Sequence, residues 1–596
     1  MKYRLYDKGN NDISNVKKEV LNNRGINNYD EYLNLTDKVI LSYSNLNNMD
    51  AAVDLFVSHF EKKDKIGIIV DEDVDGFCSA SEMYSYIKKM DNEYPVEYIM
   101  HQRVKSHGLS EDIIISEDIK LLIIPDAGTN DAEECKKLKE KGIDILILDH
   151  HISEKYNPFA LIVNNQMSNK YENKDLCGAG VVYKFLKALD DRFWNEYADD
   201  FLDLFALGNI SDVMDMRSYE TRYLTDLGLK NIQNKFLKAL IKAQEYSMND
   251  IVNIHNIQWY ITPVINAIIR IGSIEEKELV FRAFIEEDEF FEYKKRATKN
   301  NPAQTIQESI YDRAARFCKN SKQRQDKLRD KGLEKLSNQA KKICKNPDET
   351  KILLLDTTDV LHEGLTGVVA IKLAEKFNKP TILLKRHKNK FGEEVYGGSA
   401  RNMDNSPIVN FKDVVNSTNI ICGQGHPNAF GIVDLPIDRK DEALEMLNDI
   451  LKDVEYDATY LVDYIFDFNE VDVDIILRLS VFDDIVCQGI EEPKIAVENI
   501  RLQRSEFEVF GKNEDTVSFI YNDVKYVQFK CKEGNQLYDF LQNAWDDNEV
   551  VTFNIVGKPS INEYKGLRTP QVIIEDNEII STETIETFDE DEDEVW

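Results

Sequence analysis

The sequence lacks the features of a secreted or membrane-embedded protein. It holds 8 cysteines in 596 residues and no C-x-x-C pair, which argues against a disulfide framework and against a cysteine zinc site. Its first residues contain no apolar signal segment, and no apolar run reaches the ~18–20 residues that span a bilayer. We therefore expect a cytoplasmic protein in a reducing compartment, without a membrane partner.

Positive charge is also scarce. The chain carries 74 Lys and Arg against 108 Asp and Glu, a formal net charge of -34 at pH 7. Taken alone, that balance argues against a protein that lies along nucleic acid. The charge is uneven, however, because residues 292–345 contain 16 basic and 6 acidic side chains, whereas residues 575–594 contain 11 acidic side chains and no basic one.

Short apolar runs separated by polar turns and helical segments begin near residue 65. Five of these runs are nearly continuous in apolar character and too short for helices, which is typical of buried parallel strands. Open α/β sheets bind ligands beyond the carboxyl ends of their strands. Since three of the runs end in carboxylates or histidines, we expect Asp71, Asp126 and the segment 149–151 to lie along one edge of a sheet.

These patterns predict a multidomain α/β protein. A glycine-poor, basic segment that we interpret as one long helix separates two α/β patterns. Alternating strands near the carboxyl end, with a hairpin around Asn522 and Asp523, predict a small β-barrel. The segments are an amino-terminal helical cap (1–60), a parallel-sheet domain (61–290), a basic connecting helix (291–346), a second α/β domain (347–465), a β-barrel (466–580) and an acidic disordered tail (581–596).

The motif VDEDVDGFCS carries three carboxylates at alternate positions. In an extended segment Asp71, Asp73 and Asp75 project to one side, and Gly76 permits a tight turn into the next helix. Carboxylates this close repel one another unless a multivalent cation lies among them, so the motif predicts either a metal site or a solvated acidic turn. An EF-hand is the competing metal site, but its loop and terminal Glu are missing.

A pair of adjacent histidines is the second strong signal. His150 and His151 follow an apolar strand and an Asp in a chain that has only 9 histidines. Imidazole together with carboxylate suits Mn, Fe or Zn better than Ca. Asp126 in PDAGTN and Asp212 in FALGNISDVMD end a strand and a helix, and each alone is explained equally well by a turn or helix cap.

Together these pieces spell D-x-D-x-D-G, D-x-G, D-H-H and a later Asp, and the joint pattern resembles the DHH phosphoesterase superfamily. The resemblance covers nearly the whole chain. ITPVINAIIRIG, GGSAR and GQGHPNAFG are similar to motifs of RecJ-like single-strand-specific exonucleases, and VGKPSINEYKGLRTPQVIIED is similar to the last strands of their OB barrel. It implies a DHH domain at 61–290, a DHH-associated substrate-binding domain at 347–465 and an OB-type barrel at 466–580. The Asn-, Lys- and Ile-rich composition indicates a low-GC bacterium or its phage.

The resemblance implies 5′→3′ hydrolysis of single-stranded DNA to 5′-mononucleotides, in DNA recombination, repair or replication. Two divalent ions, Mn²⁺ in preference to Mg²⁺, would neutralise the phosphate, activate water and stabilise the leaving oxyanion. Asp71 is either a metal ligand or a support for the site, because Ile69 stands where many superfamily members have a metal-binding His. The other implied residues are His151, Asp126 and Asp73 for catalysis, Asp73, Asp75, Asp126, His150 and Asp212 for metal, and Arg103, Asn266, Arg270, Ser399, Arg401 and His426 for the 5′ end.

Several alternatives stay open. The basic helix either contacts phosphates along the strand or is only a solvated helix. The acidic tail is a disordered end, a shield for the basic channel, or a docking segment for a single-strand-binding protein or helicase. The nearest rival activity is a DHH phosphodiesterase for short oligonucleotides or cyclic dinucleotides, against which the long connector and the barrel argue. A non-catalytic replication scaffold is disfavoured because the residues implied as metal ligands are all present.

Overall fold

The structure, a computed structural model, forms two compact units. One comprises Leu35–Tyr456, and the other comprises Met1–Asn34 together with Asp457–Trp596. No helix in the described part of the chain is long and apolar enough to cross a lipid bilayer. The described residues are 1–6, 13–101, 108–110, 113–295, 302–344, 350–389, 391–403, 406–456, 459–480, 482, 485–511, 514–531, 534–543, 549–564 and 567–584.

The strands are numbered in chain order. They are β1 (Lys2–Leu5), β2 (Lys65–Val70), β3 (Val96–Met100), β4 (Ile119–Pro125), β5 (Asp144–Asp149), β6 (Leu161–Asn164), β7 (Phe290–Lys295), β8 (Gln304–Ser309), β9 (Leu353–Asp356), β10 (Thr381–Lys388), β11 (Glu394–Arg401), β12 (Cys422–Gly425), β13 (Ala429–Pro436), β14 (Thr459–Val462), β15 (Tyr464–Asp467), β16 (Ile495–Gln503), β17 (Glu508–Phe510), β18 (Thr516–Tyr521), β19 (Val524–Gln528), β20 (Glu549–Tyr564) and β21 (Leu567–Thr584).

The helices are numbered in the same way. They are α1 (Val16–Asn23), α2 (Tyr29–Leu33), α3 (Met49–Lys62), α4 (Val74–Met90), α5 (Ala132–Glu140), α6 (Gly178–Phe193), α7 (Leu202–Ser211), α8 (Tyr219–Lys230), α9 (Lys235–Met248), α10 (Ile254–Asn256), α11 (Thr262–Ile271), α12 (Ile274–Phe284), α13 (Ile310–Ile343), α14 (Thr366–Phe377), α15 (Phe411–Asn416), α16 (Lys440–Ile450), α17 (Val473–Ser480) and α18 (Gln536–Asn543).

The first α/β domain is built on a sheet with the strand order β3-β2-β4-β5-β6. All of its pairings are parallel and its central strands are buried along nearly their whole length, as the apolar runs predict. After β3 the chain crosses back over β2 to form β4, so the strand order reverses between β2 and β4. Such a reversal opens a crevice at the carboxyl ends of the two strands, where open α/β sheets bind ligands. Asp71 and Asp126 directly follow these two strands.

The basic connector begins as a hairpin and not as a helix. β7 and β8 pair antiparallel, and the aromatic rings at alternate positions of β7 lie against the start of α13. There the guanidinium of Arg313 lies 4.3 Å from the ring centroid of Phe291, and that of Arg316 lies 4.1 Å from that of Tyr293. The helix expected over 291–346 is therefore limited to α13, which spans 34 residues.

The second α/β domain has a mixed sheet with the order β12-β13-β11-β10-β9. β9 and β10 are parallel, and the other pairings are antiparallel. One apolar cluster contains Leu384 and Phe430, and a second contains Leu383 and Val369, so consecutive residues of β10 serve separate cores. Gly398 lets β11 approach β10 closely, because a Cβ there would lie 2.0 Å from the carbonyl oxygen of Leu383.

The carboxyl-terminal unit contains an open sheet. Its order is β15-β16-β20-β21-β19-β18-β17, and the edge strands β15 and β17 do not pair among the described residues, so the closure expected of an OB barrel is not observed. β20 and β21 pair over their whole length of 16 and 18 residues, whereas β15 and β17 have only 4 and 3. The hairpin expected around Asn522 and Asp523 is present, since both have positive φ and join β18 to β19.

Both ends of the chain differ from the expected helical cap and tail. β1 pairs in parallel with β14, and the guanidinium of Arg24 forms a bidentate ion pair with the carboxylate of Asp463 at 2.8 and 3.0 Å. Since Met1–Asn34 belongs to the carboxyl-terminal unit, residues 1–60 do not form one helical cap. β21 runs to Thr584, which places the start of the expected tail in a strand, and 585–596 lie outside the described residues.

Candidate metal centre

A tight turn after β2 gathers three carboxylates. Asp71 follows the strand directly, and Asp75 lies in the first turn of α4. Between them Asp73 caps the helix by accepting a hydrogen bond from the amide of Gly76 at 2.8 Å. Only glycine fits at that position, because a Cβ on Gly76 would lie 2.6 Å from the Cβ of Asp71. Ile69 is fully buried in the core, so its place in the motif contributes no ligand.

Asp126 lies beside this turn, at the end of β4. Its backbone is in the left-handed region, with a φ of 62°. Both of its carboxylate oxygens are buried and accept no hydrogen bond among the described residues. Burial raises the pKa of Asp126 well above its usual range, and the charges of Asp75, Asp73 and Asp71 raise it further. A carboxylate buried among like charges stays ionised only beside a cation, so this geometry fits a metal ligand.

The amino-terminal end of α6 holds Asp75 in place. The amide of Gly178 donates to its Oδ2 at 2.6 Å, and the amide of Ala179 donates to its Oδ1 at 3.0 Å. A helix amino terminus favours a negative charge at this position. A Cβ on Gly178 would lie 2.4 Å from the Cβ of Asp126. A Cβ on Gly208 would lie 2.6 Å from Oδ1 of Asp75, so both glycines let helices approach the carboxylates.

His150 lies among the carboxylates. Its Nε2 is 3.2 Å from Oδ1 of Asp126, 3.5 Å from Oδ2 of Asp212 and 3.9 Å from Oδ2 of Asp75. Burial lowers the pKa of His150 to about 4, so its imidazole is neutral near pH 7. The neutral imidazole is the form that binds a metal.

Asp149 orients the second histidine of the pair. Its Oδ1 accepts hydrogen bonds from the amides of His150 and His151 and lies 2.8 Å from Nδ1 of His151. Burial alone would raise the pKa of Asp149, but the charge and hydrogen bond of His151 lower it, so the carboxylate stays ionised. The side chain of His151 is 33% exposed, which places the ring at the open side of the site.

Sequence reasoning missed the polar residues that support this histidine. The amide of Thr129 donates to Oδ2 of Asp149 at 3.1 Å. Nδ2 of Asn164 donates to Oγ1 of Thr129 at 3.1 Å and to the carbonyl oxygen of His151 at 2.9 Å. The available signal is a polar residue close behind the carboxyl end of a buried strand, in PDAGTN and in FALIVNN.

The carboxylates and imidazoles form three overlapping groups, one of which consists of Asp126, Asp149, His150 and His151. The other two, the ligand groups, contain the residues that the resemblance implies as metal ligands. Within each group the ligand atoms lie within 4.8 Å of one another, and the 3.2 Å contact between His150 and Asp126 joins the groups. Oxygen and imidazole donors in this mixture suit a divalent transition ion. One ligand group is Asp71, Asp73 and Asp126, and the other is Asp75, His150 and Asp212.

Two partly buried arginines from different domains, Arg270 and Arg401, lie near each other as an arginine pair, and the charge of Asp73 reaches one of them, Arg270. Burial, and then the charge of Arg270, lower the pKa of Arg401 to about 10, and burial also lowers the pKa of Arg270. The charge of Asp73, which belongs to one of the ligand groups, opposes this lowering at Arg270. A Cβ on Gly364 would lie 2.3 Å from the carbonyl oxygen of Arg270, and one on Gly367 would lie 2.7 Å from Nη2 of Arg401. Two neighbouring, partly buried guanidinium groups with only one carboxylate acting on them in the described part of the chain, that of Asp73, favour an anionic ligand.

Two other residues that the resemblance assigns to the 5′ end lie on the same elements as the arginine pair. Oγ of Ser399 on β11 is 2.9 Å from Oγ1 of Thr366, at the start of α14. Asn266 precedes Arg270 by one turn of α11, so the two share a helix face. Arg103 lies outside the described residues.

His426 lies on the turn between β12 and β13 and approaches the first domain. Burial lowers its pKa, and the charges of His151, Lys412 and Arg401 lower it further. The ring therefore lies among cationic groups of both α/β domains. The assignment of His426 to the 5′ end stays a prediction.

Comparison with known proteins agrees with this geometry. Residues 65–209 match the profile described as the DHH family, N-terminal domain. A protein of the SPbeta prophage in Bacillus subtilis (strain 168), named as the single-strand DNA-specific exonuclease YorK, is 36% identical over 588 residues, 98% of this chain and 99% of that protein. The chain belongs to the RecJ-like DHH family.

Membership of the RecJ-like family, predicted from the joint spacing of the motifs, is thereby confirmed. RecJ of Bacillus subtilis (strain 168) is 26% identical over 554 residues, 89% of this chain and 63% of that protein. The solved structure of RecJ in complex with Mn²⁺ from Thermus thermophilus superposes with a TM-score of 0.70 at 18% identity, over 94% of this chain and 75% of that one. The RecJ-like chain is therefore an enzyme of the nuclease and phosphodiesterase class, and its acidic groups bind divalent metal.

Proposed function

We propose that this enzyme hydrolyses single-stranded DNA from its 5′ end and releases 5′-mononucleotides, in DNA recombination, repair or replication. The observation that carries the proposal is the partly buried arginine pair, Arg270 and Arg401, whose charges act on each other beside the ligand groups, where the charge of Asp73 reaches Arg270. A site that combines the arginine pair with the ligand groups would hold a terminal phosphate and cleave the neighbouring phosphodiester. The similarity to proteins named as single-strand DNA-specific exonucleases supports the choice of substrate.

Two divalent ions, Mn²⁺ in preference to Mg²⁺, fit the donor set. The buried oxygens of Asp126, which accept no hydrogen bond from described residues, support a role for this carboxylate as a metal ligand. The ions would neutralise the phosphate oxygens and supply an activated water. Thermus thermophilus RecJ has been solved with Mn²⁺ and with Mg²⁺. Asp73, with Asp71 beside it, would hold one ion, and Asp75, His150 and Asp212 would hold the other.

His151 would bind the scissile phosphate. Asp149 fixes its ring through Nδ1 and remains ionised, so the imidazole keeps one orientation during turnover. Nε2 would then donate a hydrogen bond to an oxygen on which negative charge develops. Asn164 and Thr129 hold the backbone on which this geometry depends.

Arg270, Arg401 and Ser399 would bind the 5′-terminal phosphate. Two guanidinium forks and a hydroxyl supply donors for the three terminal oxygens of a monoester, which an internal phosphodiester lacks. The pocket would therefore select an end and set the 5′→3′ polarity. Asn266, His426 and Arg103 are assigned to the same end.

The rest of the chain is assigned to binding the strand. The exposed lysines and arginines of α13 would contact phosphates. In the carboxyl-terminal unit Nζ of Lys525 lies 5.1 Å from the ring centroid of the exposed Phe510, an arrangement on which bases would stack. The acidic tail would compete with the strand for basic groups or recruit a single-strand-binding protein or helicase.

A strand labelled at either end tests the proposal. In Mn²⁺ a 5′ label should leave as a mononucleotide in the first turnover, whereas a 3′ label should stay on a shortening strand. Asp126→Asn and His151→Ala should lose this activity, and a duplex of equal length should persist. Attack from the 3′ end would contradict the polarity. Cleavage of dinucleotides or cyclic dinucleotides alone would favour the rival phosphodiesterase.

A further inference from the structure

The turn that carries His426 also fixes a lysine to which the motifs assign no role. Lys412 lies in the first turn of α15. Its amide donates to the carbonyl oxygen of Pro427 at 2.8 Å, and its ammonium donates to the carbonyl oxygen of Gly425 at 2.7 Å. Only 17% of the side chain is exposed. Both bonds tie Lys412 to the residues that flank His426, so the ammonium is held in one place beside that ring.

The carboxylate that faces Lys412 comes from the other α/β domain. Oε1 of Glu154 lies 3.6 Å from the ammonium nitrogen of Lys412. Glu154 follows His151 by three residues, and its amide donates to Oδ1 of Asn130 at 2.7 Å. Its side chain, however, is 53% exposed. The lysine is fixed while the acid can turn into solvent, so another anion can take the place of Glu154.

The cationic groups lie near one another. The charge of Arg270 acts on Arg401, and the charges of Arg401, His151 and Lys412 all act on His426. Lys412 is bonded to the residues on both sides of His426, and the carboxylate it faces comes three residues after His151. A strand whose 5′-phosphate lies at the arginine pair, and whose scissile phosphate lies at the ligand groups, would therefore bring its next phosphate toward Lys412.

We propose that Lys412 binds the phosphate that follows the scissile one, and that Glu154 occupies this position until a strand arrives. The inference rests on the proposed function, because the position of the 5′ end is taken from that proposal. The exchange of one anion for another keeps the ammonium paired throughout, which lowers the cost of admitting the strand. It also makes binding depend on the third phosphate of the substrate.

Binding of a 5′-phosphorylated 12-nucleotide oligothymidylate to the full chain in EDTA tests this exchange. Lys412→Gln should raise Kd about two- to five-fold, the range for one ion pair near the surface. It should also reduce the slope of log Kd against log salt by about 0.7, the value for one phosphate contact on a single strand. Glu154→Gln should lower Kd because it removes the competing carboxylate. The matched control is Lys187→Gln on α6, which should leave Kd unchanged. It removes a lysine whose Nζ lies 3.2 Å from Oδ1 of Asp199.

The sign of the Glu154→Gln effect separates strand contact from a link between domains. If the ion pair only holds the two domains together, both substitutions weaken binding, and that result overturns the proposal. In Mn²⁺ a 5′-phosphorylated dinucleotide has no third phosphate, so Lys412→Gln should raise KM for the 12-nucleotide strand and leave KM for the dinucleotide unchanged. An equal rise for both also overturns it. Failure of the unaltered protein to bind or cut any strand would instead refute the proposed function.

Discussion

Replacing Arg401 by Gln should stabilise the protein while weakening its hold on a 5′-phosphate. Burial, and then the charge of Arg270, lower the pKa of Arg401 from 12.5 to about 10. At about 1.4 kcal/mol for each pH unit by which a pKa moves, the protonated side chain costs about 3 kcal/mol of folding free energy. Folded and unfolded chains are both protonated at neutral pH, so the cost is constant there and is relieved only above a pH of about 10.

A phosphate bound at the arginine pair offsets the cost of burying the charge of Arg401. A charge-assisted hydrogen bond contributes about 1.5–3 kcal/mol, so Arg401→Gln should lower kcat/KM for a 5′-phosphorylated strand about 10- to 100-fold. A strand that ends in a 5′-hydroxyl has no terminal phosphate to lose, and its kcat/KM should change little. Stability and activity should therefore move in opposite directions at this one position.

Thermal unfolding of the full chain, with and without inorganic phosphate, measures the first effect. Arg401→Gln should have the higher Tm in buffer, and phosphate should raise the Tm of the unaltered protein more than that of the variant. Kinetics on 5′-phosphate and 5′-hydroxyl strands measure the second effect. Arg439→Gln, which removes an exposed arginine paired with Glu442 at 2.8 Å, should change neither. A lower Tm together with an unchanged preference for the 5′-phosphate would show that Arg401 is a structural residue and refute the reasoning.

Three further substitutions test the acidic groups. Asp126→Asn should raise the Tm of the metal-free protein, because it removes a carboxyl group that burial and like charges keep from ionising, and should abolish most of the rise in Tm that Mn²⁺ causes. Gly178→Ala places a Cβ 2.4 Å from that of Asp126 and should weaken Mn²⁺ binding at least 10-fold by calorimetry, whereas the control Gly180→Ala meets nothing closer than 3.1 Å. Both oxygens of the buried Glu82 accept no hydrogen bond in the described part of the chain, and burial raises its pKa well above 4.5. The folded protein therefore keeps a proton that the unfolded chain releases, so urea unfolding in EDTA should show stability falling between pH 5 and 7 more steeply than in Glu82→Gln.

The ligand groups could be predicted because their residues follow apolar strands directly. A parallel sheet turns that position in sequence into a position in space, which is why Asp71, Asp126 and His150 meet although up to 79 residues separate them. The residues that support His151 could not be predicted in the same way. Asn164 acts through Thr129 and a backbone carbonyl, and such contacts depend on the geometry of two loops rather than on a pattern.

Contacts between distant segments account for most of what the sequence does not reveal. Lys412 and Glu154 come from different domains, and neither belongs to a motif. The pairing of β1 with β14 joins residues that lie more than four hundred positions apart, so no local pattern predicts it. The start of the connector is different, because Phe291 and Tyr293 alternate in the manner of a strand. The basic composition of the whole segment indicates a helix. The aromatic residues at its start, however, alternate with the period of two that is typical of a strand.

The charge of the site explains how an acidic chain can bind an anionic strand. The ligand groups hold more negative charge than burial allows, and the arginine pair concentrates two positive charges beside them, of which Arg270 is influenced by the charge of Asp73. Bound metal ions would supply the positive charge that the ligand groups lack. A bound 5′-phosphate would supply the negative charge that the arginine pair lacks. Because the ligand groups and the arginine pair adjoin, filling one changes the electrostatic cost of filling the other. By linkage, metal must then strengthen binding of the strand end by the same factor as the strand end strengthens binding of metal, whatever the net charge of -34.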